Sequence, residues 1–354
     1  SDPASVAPAS GWVEPGSSPT AMPPPSPFPL RPLPWAALAL GLLLCACSSS
    51  KDKLTREQQI STRRELGSYY FQVGEIGRAE DQALRGLELD RDDKELRLLL
   101  GRVKLRRGDT ESLLKAKLVF EGFDIREEPR AAIGLGETLE RLGLVHQATA
   151  EAIERGERAA PKGDGPAESK RLRAEAERLW KKAAEAFETA LAFDPEELRA
   201  LNGLQRTHAL MGRYDEAAQH SDRLIELAEA ELEAIARTLS SPPGSPDPAR
   251  DERLRTRSRE TKALLIETRW LAYSIENSRQ RPAAALTHLD RIIELTPNDE
   301  VAYSRRAQVQ YDLGNYQAAI DDATEFVRLS DKPYEDPDIR RAWQLRNDAS
   351  SKLP

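Results

Sequence analysis

AYSRRAQVQYDLGNYQAAIDDATEFVRLS, residues 302–330, decides how the rest of the chain is read. Tyr303, Ala307, Tyr316, Ala319, Ala323 and Phe326 fall at helical spacing on either side of a turn at Gly314. Small residues let two antiparallel helices approach closely, and large ones fill the grooves between successive pairs. A glycine at the turn relieves the backbone where a Cβ would crowd it.

The same register recurs along the chain. Gly67 and Gly101 are 34 residues apart, as are Gly74 and Gly108; Pro195 and Pro297 are separated by three such periods. LGSYYFQVGEIGRAEDQALRGLELDRD carries Leu66, Gly67, Tyr70, Gly74 and Ala79. KKAAEAFETALAFDPEE carries Ala183, Phe187, Ala190 and Pro195, and PAAALTHLDRIIELTPND carries Ala285, Leu289, Ile292 and Pro297. LMGRYDEAA adds Gly212, Tyr214 and Ala217. These residues and this period resemble the tetratricopeptide repeat family over about residues 60–333. The resemblance implies an all-α, right-handed solenoid that holds protein or peptide ligands in a concave groove and does no chemistry.

Repeats are expected to start near Ile60, Lys94 and Glu128, slip by two, and resume near Leu198, Ile266 and Glu300. In the second repeat Leu113, Leu114, Leu118 and Phe120 replace small residues, and 120–128 reads as a looser connection. PKGDGP (161–166) and SPPGSPDP (241–248) break long helical patterns at 167–193, 214–239 and 250–279. At 1.5 Å per residue these helices reach roughly 35–45 Å, so two inserted helical hairpins are expected to project from the solenoid. Residues 232–265 equal one period, which leaves open a degenerate repeat split by a loop. PDIRRAWQLRNDASS, with Ile339, Ala342 and Trp343 on one face, reads as a capping helix. The expected organisation is 1–46 Pro-rich segment and signal peptide, 47–59 tether, 60–333 repeats, and 334–354 cap and tail.

Composition narrows the function classes. Charged residues make up 31% of the 354, too many for a multi-span membrane protein, and the 39% hydrophobic share is too high for a wholly disordered chain. The net charge of −7 disfavours nucleic acid as a partner. Eleven of the 24 Pro lie within 1–34, a stretch too poor in apolar surface to offset its ordering entropy. Met22, the first Met, is the expected translation start. Arg31 and the run WAALALGLLLCAC (35–47) then read as a secretory signal: about 20 Å as helix is short of a ~30 Å hydrocarbon core.

Leu44-Cys45-Ala46-Cys47 resembles the lipobox of bacterial lipoproteins. The resemblance implies a lipid on the Cys47 thiol, cleavage before it, and tethering through SSSKDK. The small Ala46 favours Cys47 over Cys45 as acceptor, and Ser48 points to the outer membrane. The expected address is the bacterial cell envelope, at the periplasmic face of the outer membrane. A plain cleaved signal, or a buried helix with two inert thiols, is the alternative. The layout is also similar to type IV pilus pilotin lipoproteins; a soluble cytoplasmic adaptor or co-chaperone is the rival.

Catalysis finds no support in the residues. His146, His208, His220 and His288 lack metal-ligand spacing, although His208 and His220 could meet across one helix pair. GLG at 134–136 lacks a phosphate-loop context and reads as helix packing. Neither metal, cofactor nor small-molecule substrate is expected. RDERLRTRSRETK (250–262) reads as the solvated face of a protruding helix with Glu/Arg pairs at helical spacing. Trp180, Trp270 and Trp343 read as packing anchors, one of which could serve as a binding hot spot. From the family resemblance, Arg64, Arg102, Trp270, Ser274, Gln308 and Tyr311 are expected to face the concave groove and contact a ligand. A clamp for a C-terminal carboxylate is not expected, because its basic and amide positions do not recur.

Overall fold

Asp side chains start six of the helices in this protein. The carboxylates of Asp93, Asp109, Asp164, Asp247, Asp299 and Asp336 accept hydrogen bonds from the otherwise unpaired N–H groups of Leu96, Ser112, Ala167, Arg250, Ala302 and Asp338. The structure is a computed structural model that describes residues 55–160, 164–240 and 247–353. The chain divides into the units Ser1–Thr55 and Arg56–Pro354, and the helices belong to the second. The Pro-rich segment, the signal-like run and Cys47 lie outside the described residues.

Among those residues there are thirteen helices and no strand. They are α1 (Arg56–Gln72), α2 (Ile76–Leu89), α3 (Lys94–Arg107), α4 (Thr110–Glu121), α5 (Pro129–Glu154), α6 (Gly165–Leu191), α7 (Leu198–Leu210), α8 (Tyr214–Ser240), α9 (Pro248–Ser278), α10 (Pro282–Leu295), α11 (Glu300–Asp312), α12 (Tyr316–Leu329) and α13 (Pro337–Ser350). Each packs mainly on its sequence neighbours, so the unit is a solenoid-like stack of six antiparallel pairs closed by α13. Within a pair, α1, α3, α7 and α11 end on Gly74, Gly108, Gly212 and Gly314, all in the left-handed region (φ +71° to +81°). Helix α1 begins at Arg56, four residues inside the stretch read as tether.

The long helices belong to the repeats themselves. α5 and α6 form the third pair, each lengthened at the shared turn; α8 ends the fourth pair and α9 begins the fifth, both lengthened where they meet. One extension thus grows from a turn within a pair and the other from a turn between pairs, and in an up-down stack those turns lie on opposite edges. Residues 232–265 are the distal halves of the unbroken α8 and α9 and their connection, not a separate repeat. The first extension has its own small core of Ala150, Ile153 and Leu172.

Packing follows a recurring device. Phe120 of α4 wedges between Gly101 of α3 and Gly134 of α5; a Cβ at Gly101 would lie 2.7 Å from its ring. Phe187 of α6 sits likewise between Gly136 of α5 and Gly203 of α7. The GLG of 134–136 is therefore a double helix-packing site. Trp180 is buried, its indole N–H donating to the Glu140 carbonyl at 3.2 Å.

Candidate functional site

The first helices of successive pairs touch one another from α1 through α3, α5 and α7 to α9, whereas the second helices α2, α4, α6, α8, α10 and α12 do not. Helices that lie closer together line the inner side of a curved stack, so the first helices present the inner face. Ion pairs tie that face together. Arg130 of α5 reaches Glu95 of α3 at 2.8 Å, and Arg199 of α7 reaches Glu137 of α5 at 2.8 Å. Arg206 of α7 forks onto buried Glu140 of α5 at 2.8 and 2.9 Å. Burial works against the Arg206 charge, and the bonds to Glu140 more than compensate, raising its pKa.

The six expected groove residues fall into separate places. Arg64 is held by the buried carboxylate of Asp93. Arg102 is exposed, stacked 4.5 Å over the Phe71 ring, with no carboxylate partner among the described residues. Desolvation, then the charges of Arg199 and Arg130 against the opposing pull of Glu137, lower its pKa. Trp270 is half-buried against the Leu289, Ile292, Ala302 and Val309 cluster and edge-on to Tyr273, so it anchors the fifth pair to the sixth. Ser274 donates its hydroxyl to the Trp270 carbonyl. Tyr311 packs edge-on against Tyr316 across the Gly314 turn. Gln308 is exposed and donates to Asp312 at 2.9 Å.

Of the six, Gln308 lines a cleft. A cleft of about 300 Å³ opens between α11, α12 and α13. Ala307, Ala323 and Phe326 form its floor, and Leu345 and Ala342 of α13 form one wall. Its rim carries Glu300, Arg305, Lys332, Asp338 and Arg341. Asp338 is taken by Lys332 and Arg341, which hold its carboxyl below the usual carboxylate range; Arg305 and Glu300 make no ion pair among the described residues. The cleft lies where α13 takes the place of a further first helix and packs on both α11 and α12. Ser304 and Arg305, one turn before Gln308, could have been found by helical spacing; the α13 side required the tertiary contact.

A second cleft, at the α5/α6 extension, is lined by Ile153, Glu154, Gly165, Pro166, Lys170 and Arg173, with Arg173 paired to Glu154 at 2.7 Å. No set of three His, Cys, Asp or Glu among the described residues is arranged to hold a metal ion, and no described helix is long and apolar enough to cross a membrane. The basic stretch 250–262 is largely paired: Arg259 with Glu252 at 3.0 Å, Arg257 with Glu231 of α8 at 2.7 Å.

Residues 275–343, from the end of α9 into α13, match the tetratricopeptide repeat family model. No curated protein sequence matches the chain. Among solved structures, the thermophilic tetratricopeptide repeat protein TTC0263 of Thermus thermophilus is 17% identical, over 71% of this chain and 99% of its own, with a TM-score of 0.43. Pseudomonas aeruginosa pilF is 15% identical, over 84% of this chain and 90% of its own, with a TM-score of 0.35. The TPR2AB domain of yeast Sti1, solved with pHSP90, is 14% identical over 82% and 98%, with a TM-score of 0.29. These are likenesses of helical architecture alone.

Proposed function

We propose that the chain is a non-catalytic protein–protein interaction scaffold whose partner is a protein or peptide segment lying along the inner helices. The observation that carries this reading is the α11–α13 cleft: an apolar floor sized for a side chain or two, beneath a rim that keeps Arg305 and Glu300 unpaired. Its test is Ala342→Trp, which fills the cleft at a half-buried wall position. In-cell crosslinking followed by capture and mass spectrometry of partners should lose its leading partner with this variant and keep it with Leu118→Ala on the outer side. Unchanged capture with Ala342→Trp would sink the cleft as the docking site.

The finer reading is a lipoprotein of the bacterial cell envelope, anchored through Cys47 at the periplasmic face of the outer membrane, that supports assembly of an envelope complex. It is supported by the 35–47 apolar run, the small Ala46 before Cys47, and the Ser-rich spacer that follows. Cys47→Ala should move the protein from the membrane to the soluble fraction; retention in the membrane fraction would end the lipoprotein reading. A partner set led by a secretin or pilus components would specify a pilotin-like role. One led by cytosolic chaperones would instead make the chain a soluble adaptor.

A further inference from the structure

The pairs α7/α8 and α9/α10 differ in chemistry from the rest of the stack. Buried side-chain atoms without a hydrogen-bond partner gather there: Asn202 Oδ1, Gln205 Oε1 and His208 Nδ1 on α7, then Arg269 Nε and Glu276 Oε2 on α9, with Arg279 Nε just beyond. Each such atom is a local cost to the closed packing, while the same side chains tie the block together through Arg269–Glu229 and Arg279–Asp215 at 2.8 Å, Arg279–Glu276, and Gln205 donating to the Thr268 carbonyl at 3.2 Å. Three of the chain's four histidines, His208, His220 and His288, lie in the same four helices, while His146 stands in the extension of α5.

The imidazoles are placed where charge is poorly tolerated. His208 is buried, and its ring centroid lies 5.1 Å from that of His220 across the α7/α8 pair. Burial lowers both, and the charge of His208 further opposes one on His220, as Arg213 at the turn opposes one on His208; Glu216 and Glu188 act the other way and are outweighed. His288 of α10 has Nδ1 3.5 Å from a guanidinium nitrogen of Arg269. Burial, then Arg269, push it down to about 4 against the weaker pull of Glu276. Asp222 of α8 faces Glu276, Arg279 and Arg269, and its pKa is raised, chiefly by burial. Its protonation favours the closed block, but only within the carboxylate range.

We propose that α7–α10 form a proton-operated joint, in which acidification to about pH 5 opens these two pairs while α1–α4, α12 and α13 keep their packing. In the open form the imidazoles meet water and recover their ordinary affinity for protons; in the closed form they stay neutral. The open form therefore binds more protons, and opening grows as pH falls below about 6.5. For His288 alone, a value of about 4 closed against 6.5 open raises the opening constant about 30-fold between pH 7.5 and 5. His208 and His220 add to it.

Hydrogen–deuterium exchange of the full chain at pH 7.5 and 5, with times scaled for intrinsic exchange, tests the joint. Peptides from α7, α8 and α10 should lose protection by more than tenfold at pH 5, while those from α1–α4 and α12 hold theirs. Uniform loss, or none, overturns the proposal. His288→Gln keeps a neutral polar side chain and should cut the pH response by about tenfold or more while leaving protection at pH 7.5 close to wild type. His220→Gln should cut it by a smaller factor, and Asp222→Asn should leave the response between pH 7 and 6 unchanged. If His220→Gln and His288→Gln combined retain the full response, the imidazoles are not its cause.

Discussion

At the scale of single residues, the stack is specified by where a Cβ is missing. Phe120 and Phe187 are each clamped between glycines of two flanking helices, so the ring and the gap define one another. Gly134→Val should destabilise the protein by about 1–3 kcal/mol, because the ring cannot move without disturbing Gly101 on its other side. Phe120→Ala should cost about 3–5 kcal/mol through the cavity it leaves. Urea unfolding measures both, and the double variant should cost less than the sum, since the two share one contact. Electrostatics has a comparable single point. Glu140 is buried and holds Arg206 of the next pair. Glu140→Ala leaves a largely buried guanidinium without its main carboxylate and should cost about 3–5 kcal/mol in the same measurement; a loss under ~1 kcal/mol would show that Glu267, at 3.8 Å, suffices.

At the scale of elements, the long helices and the cap make separable contributions. The α5/α6 extension packs around Ala150, Ile153 and Leu172, apart from the main cluster that contains Phe120 and Phe187. Replacing residues 148–174 by a short Gly-rich turn should therefore leave one cooperative unfolding transition and the full helicity of the remaining chain by circular dichroism. A chain that fails to fold would mean that the extension supports the third pair. The cap behaves differently, because Ile339 and Ala349 of α13 are buried against the last pair. Ending the chain after Ser330 uncovers the Ala323 and Phe326 face and should cost on the order of 2–4 kcal/mol, read as a lower Tm. Both helix breaks were legible from Pro and Gly alone. Which turn each extension grows from was not, since that depends on which helices pair.

At the scale of the whole molecule, many surface ion pairs are exposed on both sides, as with Arg85–Asp81 and Arg237–Glu233. Such pairs are worth little and are screened by salt, so raising NaCl from about 0.05 to about 1 M should move Tm by no more than a few degrees. A larger drop would assign the inter-helix bridges at Arg130, Arg199 and Arg206 a greater share of stability. The 34-residue register and its glycine turns determined the helical stack, its order and its cap, because each pair packs on sequence neighbours and local spacing carries the information. Of the expected groove residues, Trp270 and Tyr311 have the expected spacing and are engaged in packing, and Gln308 lines the α11–α13 cleft. Spacing places a residue on a helix face but does not say whether another helix covers that face. Only the tertiary structure decided that α13 leaves a cleft against the last pair, that glycines from two helices enclose one ring, and that His288 joins the block in which His208 and His220 meet as their spacing allowed. Each depends on how far apart packed helices come to rest, a distance set by side chains contributed from several segments at once.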